Sequence, residues 1–259
     1  MSSFHEPSSS VVLLRTVRAE WLRLRTVRST WLFVLTAILG VVGISLLVGN
    51  DARGQGQTEP GETAWVAVQI LGMLSMLVLL ALASVSTTAD HGTGDIVPTL
   101  QWTPRRGVLL AARTFVIVAG TATFGVLLAV AAGLVIRSLA PVLGLPWDEG
   151  VETLSALALV YALGALLAVG LGLLLRSTAG AVVTVLALML VLPILLGNFP
   201  FDWAQDIARL LPGMSALKLV VGEGPPDLTT PEARMTLAAW ALGAAAAGGW
   251  RLLRTDANR

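Results

Sequence analysis

Residues 153–201 read TLSALALVYALGALLAVGLGLLLRSTAGAVVTVLALMLVLPILLGNFPF, and their only charge is Arg176. The flanking charges are Glu152 and Asp202, so Arg176 separates uncharged runs of 23 and 25 residues. A helix needs roughly 20 apolar residues to cross the hydrocarbon core of a bilayer. The stretch therefore reads as two membrane spans joined by a tight hairpin at Arg176-Ser177. Moving outward, the signal recurs between Arg28 and Asp51, Glu62 and Asp90, Arg113 and Arg137, and Arg234 and Arg251, in runs of 22, 27, 23 and 16 residues. The last run is short and Ala/Gly-rich, and it spans only if Arg251 snorkels and Trp240 and Trp250 sit near the interfaces.

The expectation is an all-α integral membrane protein with six transmembrane helices, at about Thr30–Val48, Ala64–Thr88, Val108–Ile136, Leu154–Leu175, Ala179–Leu196 and Met235–Leu253. Composition agrees. Of 259 residues, 55% are apolar and 13% charged, with a mean hydropathy of +0.80. A soluble domain carries about 25% charge, and a disordered chain needs low hydrophobicity with high net charge. The net charge of +1 supplies no basic field for nucleic acid. The absence of cysteine excludes disulfides and cysteine nucleophiles. The first span is not read as a cleavable signal peptide, because some 30 polar and amphipathic residues precede it and no Ala-x-Ala site follows.

Orientation follows from the bases. With both termini inside, twelve of the seventeen basic residues fall on the inner side: Arg15, Arg18, Arg23, Arg25, Arg28, Arg105, Arg106, Arg113, Arg176, Arg251, Arg254 and Arg259. The positive-inside rule then gives cytoplasmic termini in a cell membrane. The chain divides into a disordered tail over 1–10, an amphipathic helix over 11–28, and a six-span domain over 29–257. Within that domain lie a cytoplasmic loop over 89–107 and an outer loop over 198–231. In the amphipathic helix, Leu13, Val17, Trp21 and Leu24 share one face, opposite Arg15, Arg18, Arg23 and Arg25. That pattern describes a helix lying in the membrane interface; the alternative is a basic topogenic flank. The cytoplasmic loop has room for one short helix near Asp95–Trp102. The outer loop reads as helical pieces over 201–221, broken at Pro212-Gly213 and either interfacial or dipping back into protein.

Small residues at four-residue spacing mark packing faces: Gly125, Ala129 and Gly133; Ala168 and Gly172; Gly243 and Ala247. Pro193 removes one backbone hydrogen bond from the fifth span and is expected to kink it. No catalytic, cofactor or metal site is expected. The middles of the spans carry no ionisable residue of the kind that builds proton relays. The two histidines, His5 and His91, offer neither a zinc site nor an in-membrane Ser–His pair. The only lysine, Lys218, lies in ALKLV and so cannot belong to a phosphate-binding loop. Movement of any solute against a gradient therefore needs a motor on another polypeptide.

The loop DHGTGDIVPTLQWTPRRG, Asp90–Gly107, resembles the one between the second and third spans of type-2 ABC transporter permeases of the bacterial exporter kind. The matching positions are Asp90 as the acidic residue, Gly94 four places on, Thr99-Leu100 in the short helix, and Pro104-Arg105-Arg106-Gly107 opening the third span. The family usually has Glu at the position of Asp90 and Arg at that of Val97, and Pro98 is unusual within the helix. Leu171–Leu192 with Pro193, Ala208–Pro212 and Leu252–Ala257 are similar to further elements of the same family, so the likeness runs from Val11 to Ala257. The resemblance implies a coupling helix between spans two and three, with Asp90, His91, Gly94, Asp95, Thr99, Leu100, Pro104, Arg105 and Arg106 as the docking segment. It also implies a cytoplasmic ABC ATPase partner that carries the ATP and Mg, and a second copy or similar permease completing the path. Two functions follow as expectations: export of an apolar or amphipathic solute, or a non-transporting anchor or signalling subunit that recruits a cytoplasmic partner.

Overall fold

The structure, a computed structural model, describes residues 9–55, 63–93, 106–225 and 227–254. Its elements are α1 (Ser9–Thr26), α2 (Arg28–Gln55), α3 (Ala64–Thr93), α4 (Arg106–Leu139), α5 (Trp147–Leu175), α6 (Thr178–Leu186), a π-helical turn (Ala187–Val191), α7 (Leu192–Gly197), α8 (Asp202–Arg209), α9 (Pro212–Val220) and α10 (Thr230–Arg254). No strand occurs among the described residues. Helix is the expected answer for long apolar runs, because it satisfies every backbone N–H and C=O within the segment.

Five helices are long and apolar enough to cross a membrane: α2, α3, α4, α5, and α6 continued through the π turn into α7. The chain thus has the helices of a multi-pass membrane protein. The Ala/Gly-rich α10 has 25 residues but is not among the five. The helices α2, α4 and α5 run longer than the uncharged stretches that announced them, because each gains polar turns at its ends.

The most buried of these five is α5, with 67% of its most apolar stretch inside the protein against 22% for α2. It therefore forms the axis on which α3, α4, α6 and α10 pack. Tyr161 is its key polar residue. The ring lies against Gly125 of α4, where a Cβ would come within 2.5 Å of it. Its hydroxyl donates to the Gly72 carbonyl of α3 (3.1 Å) and pairs with the Ser75 hydroxyl (2.8 Å). Gly133 receives Leu145 and Val68, and Gly172 receives Thr87 and Thr88. Buried hydroxyls of Ser45, Ser84, Thr87 and Thr88 donate to carbonyls four residues back, so none of these four donors is stranded in the apolar interior.

The close approach of α10 to α5 uses different residues from those expected. Gly243 has nothing within 4 Å, and Ala247 is exposed. The contact stripe lies one residue over, at Ala244 and Gly248. A Cβ on Gly170 would overlap the Ala244 backbone, and one on Gly248 would overlap the Gly170 carbonyl. Both stripes have four-residue spacing; only the rotation of the helix distinguishes them.

Arg176 turns the α5–α6 hairpin in the left-handed region at φ 53°, while its N–H donates to the Gly172 carbonyl at 3.0 Å. Ser177 then caps α6 by accepting from the Gly180 N–H at 3.2 Å. Before Pro193 the helix loosens into the π turn. Pro193 cannot donate to the Met189 carbonyl four residues back, and α9 presses its Gly213 against that carbonyl. The disturbance expected at Pro193 thus takes the form of a π turn. Between α8 and α9 the break falls at Leu210-Leu211, and Pro212 opens α9 at a position where its missing N–H costs nothing.

A capping box closes the start of α10. The Glu232 carboxylate accepts from the Thr229 N–H (2.9 Å) and hydroxyl (2.8 Å), and the Glu232 N–H donates to the Thr229 hydroxyl (3.4 Å). These donors hold the Glu232 carboxyl below its usual range. A depressed folded-state pKa contributes stability above the ordinary carboxylate range, and that contribution is lost as pH falls through the folded value. The first turn of α10 is therefore expected to exchange its amide protons faster as pH falls below about 4, relative to the intrinsic exchange rate, with the effect removed in Glu232→Gln. A second expectation concerns packing. Gly170→Ala should lower unfolding stability in detergent by about 1–3 kcal/mol. Gly243→Ala should be neutral or slightly stabilising, since it fills open space and favours helix. Equal thermal melts for the two variants would contradict the packing described.

Candidate functional site

Three chain ends meet at one end of the bundle: the C-terminus of α3, the N-terminus of α4 and the length of α1. Asp90 and His91 lie in the last turn of α3, and Arg106 is the first residue of α4. Gly94, Asp95, Thr99, Leu100, Pro104 and Arg105 lie outside the described residues, as do residues 1–8. The α5–α6 hairpin is at the same end, where the Thr88 hydroxyl donates to that of Thr178 at 2.8 Å. The C-terminal turn of α10 joins it through Arg251, which donates to the Leu174 carbonyl. Burial and the charge of Arg251 together lower the pKa of Arg176 in this hairpin.

Within α1, the basic residues Arg15, Arg18 and Arg25 are exposed. Trp21 is 47% exposed, and Leu13, Leu14 and Leu22 are also exposed. The side turned to the bundle is the line Val17–Glu20–Leu24. Glu20 is buried, and its carboxylate takes a two-point grip from Arg113 of α4: Nη2 to Oε1 at 3.1 Å and Nε to Oε2 at 3.3 Å. Arg23 adds Nη1 to Oε2 at 3.3 Å. The Glu20 and Arg113 side chains are only 10% and 5% exposed. A bidentate guanidinium–carboxylate pair fixes orientation as well as distance. It also sits where neither charge tolerates the loss of the other, because an unpaired buried charge is expensive.

Beside the pair, α1, α2, α3 and α4 enclose an apolar groove of about 280 Å³, with Trp21, Leu24, Trp31, Leu79, Ile117 and Phe124 in its walls. The Trp31 indole donates to the Arg25 carbonyl at 2.8 Å and locks the α1–α2 corner. Gly120 leaves room for the edge of Trp21.

Sequence reasoning weighed Arg113 as a charge bounding a span and as one of the inner bases, and it passed over Glu20. The signal was present. Glu20 is the sole acidic residue of α1, and its spacing from Val17 and Leu24 places it on the apolar stripe, where a solvated charge would not belong. The packing residues named from sequence are dispersed. Gly125 and Gly133 are on α4, Gly172 is near the hairpin on α5, and Pro193 is on α7. No group of three or more His, Cys, Asp or Glu suited to a metal occurs among the described residues. The arrangement is a helix, α1, clamped by a buried ion pair to the start of α4. No protein-family model matches the chain, and no curated protein matches it significantly.

Removing one partner of the pair, as in Glu20→Met or Arg113→Met, should destabilise the protein by about 3–5 kcal/mol, whereas the double variant should lose far less than the two losses added. A double-mutant cycle on chemical unfolding in detergent measures this. Strict additivity would mean that the two side chains do not act as a pair.

Proposed function

We propose that this chain is the membrane-spanning permease subunit of an ATP-driven transporter of the type-2 ABC kind, exporting an apolar or amphipathic solute and driven by a separate cytoplasmic ATPase. The observation that carries the reading is the Asp90–Gly107 connection. Its residues resemble the family's coupling segment, and it leaves α3 and enters α4 at the end where α1 is clamped to Arg113. In this reading, ATPase closure displaces the coupling segment. α3 and α4 then move as rigid bodies, and the Glu20–Arg113 pair carries α1 along with α4. ATP and Mg belong to the motor subunit. A second copy or a similar permease supplies the other half of the path, and membrane lipid covers the exposed leucines of α2. The lack of ionisable residues in the middle of the spans favours an apolar or amphipathic solute.

The same reading assigns six spans. At about 1.5 Å per residue, α10 is long enough to cross. It runs parallel to α5, from a cavity wall shared with Glu152 to the Arg251 contact at Leu174. In this reading Trp250 lies near the inner interface, and α1, with its exposed Leu13, Leu14, Trp21 and Leu22 beside exposed arginines, lies in the same interface. Both termini are then cytoplasmic in a bacterial plasma membrane.

Asp90→Arg or Gly94→Trp is expected to abolish permease-stimulated ATP hydrolysis by the co-purifying ATPase in reconstituted vesicles, with membrane insertion unchanged. Cysteines introduced at Ser10 and Asp148 into this cysteine-free chain should react with membrane-impermeant maleimide from the inside and the outside, respectively. ATP-dependent solute flux that survives deletion of the coupling segment contradicts the coupling role. Recruitment of a partner with no ATP-driven flux of any solute identifies an anchor instead.

A further inference from the structure

At the end of the bundle opposite α1, the first turns of α3, α5 and α10 and the last turn of α9 surround a cavity of about 500 Å³. Small-molecule sites commonly occupy about 300–1,000 Å³. The lining carries both signs of charge: Glu149 and Glu152 on α5, Lys218 on α9, and Arg234 on α10. Among the described residues, neither carboxylate forms an ion pair with either cation, so opposite charges face one space without closing on each other. One oxygen of Glu149 accepts the Thr63 hydroxyl at 2.7 Å, and one Lys218 N–H is used on the Gly222 carbonyl at 3.1 Å. Each group retains capacity for a ligand.

The floor is polar as well. Gln69 and Thr153 lie roughly 8 Å below the helix ends at 1.5 Å per residue. They meet at 3.4 Å, with Thr153 buried. The walls are held in place: the Ala64 N–H donates to the Gly144 carbonyl and the Trp65 indole to the Pro146 carbonyl, both at 2.9 Å. A site on rigid elements holds charge geometry better than a loop does.

We propose that this cavity binds a small zwitterion, its ammonium group held by Glu149 and Glu152 and its oxyanion by Lys218 and Arg234. A simple anion entering here meets two carboxylates, and a simple cation meets two bases; only a molecule with both ends matches the lining. The chemistry is shared by an ethanolamine phospholipid headgroup and by a water-soluble phosphodiester of the same kind. The site requires neither a motor nor transport, so it stands apart from the function proposed above.

The test is equilibrium binding to the full chain in nanodiscs, with glycerophosphoethanolamine and dihexanoyl-phosphatidylethanolamine as probes, and ethanolamine and glycerol 3-phosphate as single-charge controls. At least one zwitterion should bind saturably, with each control about tenfold weaker or worse. Glu152→Gln and Arg234→Gln should each weaken binding about tenfold at unchanged melting temperature, while Asp206→Asn, on α8, binds as the wild type. Binding of the short-chain lipid alone assigns the source to the lipid leaflet; binding of both probes assigns it to a free solute. If a charge variant fails to fold, Lys218→Gln provides the same comparison. The proposal is overturned if neither zwitterion saturates, if a single-charge control binds as tightly, or if the charge variants bind as the wild type does.

Discussion

The helices α3, α4, α6 and α10 are positioned by how closely each can approach α5. Within a bilayer, lipid chains are as apolar as leucine, so burying leucine against leucine supplies no drive to associate; helices hold together by van der Waals fit and a few hydrogen bonds. Fit demands complementary relief, and glycine provides it on both sides. Gly72 and Gly125 are hollows for Leu157 and Tyr161 of α5, while Gly164 and Gly170 are hollows in α5 for Leu80 and the α10 backbone. Tyr161 adds the polar fixation. Its hydroxyl finds partners on α3 while its ring rests on α4, so one side chain sets two helix–helix distances.

The two ends of the bundle are built to different rules. At the α1 end, arginines are numerous and exposed, and the one buried carboxylate among the described residues is gripped by Arg113. That end is a clamp, in which an amphipathic helix is tied to the start of α4. At the other end the chain connections are pinned by backbone bonds between the start of α3 and the α4–α5 loop, and the charges of α5, α9 and α10 stand unpaired around a recess. A protein with so few charges has concentrated them where each can do something: arginines where anionic headgroups lie in the proposed orientation, and mixed charge around the one large polar hollow described.

Much of the α1-end junction was legible in the chain itself. The arginines of α1, the acidic and basic residues flanking the connection from α3 to α4, and the length of each apolar run are local features, and each places an element. What the pattern hid is pairwise. Glu20 looks like one more charge on a charged helix until Arg113, 93 residues away, is seen against it. Gly243 and Gly248 belong to the same kind of small-residue spacing, and periodicity alone does not say which rotation of α10 meets α5.

The sequence by itself determined that the chain is helical, that it carries membrane-length apolar segments, and where the charged turns between them fall. These follow from backbone hydrogen bonding and bilayer thickness, which act on consecutive residues. Only the tertiary structure decided that α5 is the axis, that Glu20 and Arg113 share a buried bond, that Pro193 is met by a π turn, and that four charges from three helices surround one cavity. Those outcomes depend on which side chains from distant segments fit into each other's hollows, and such complementarity of shape and charge is a property of pairs of helices that no single stretch of sequence contains.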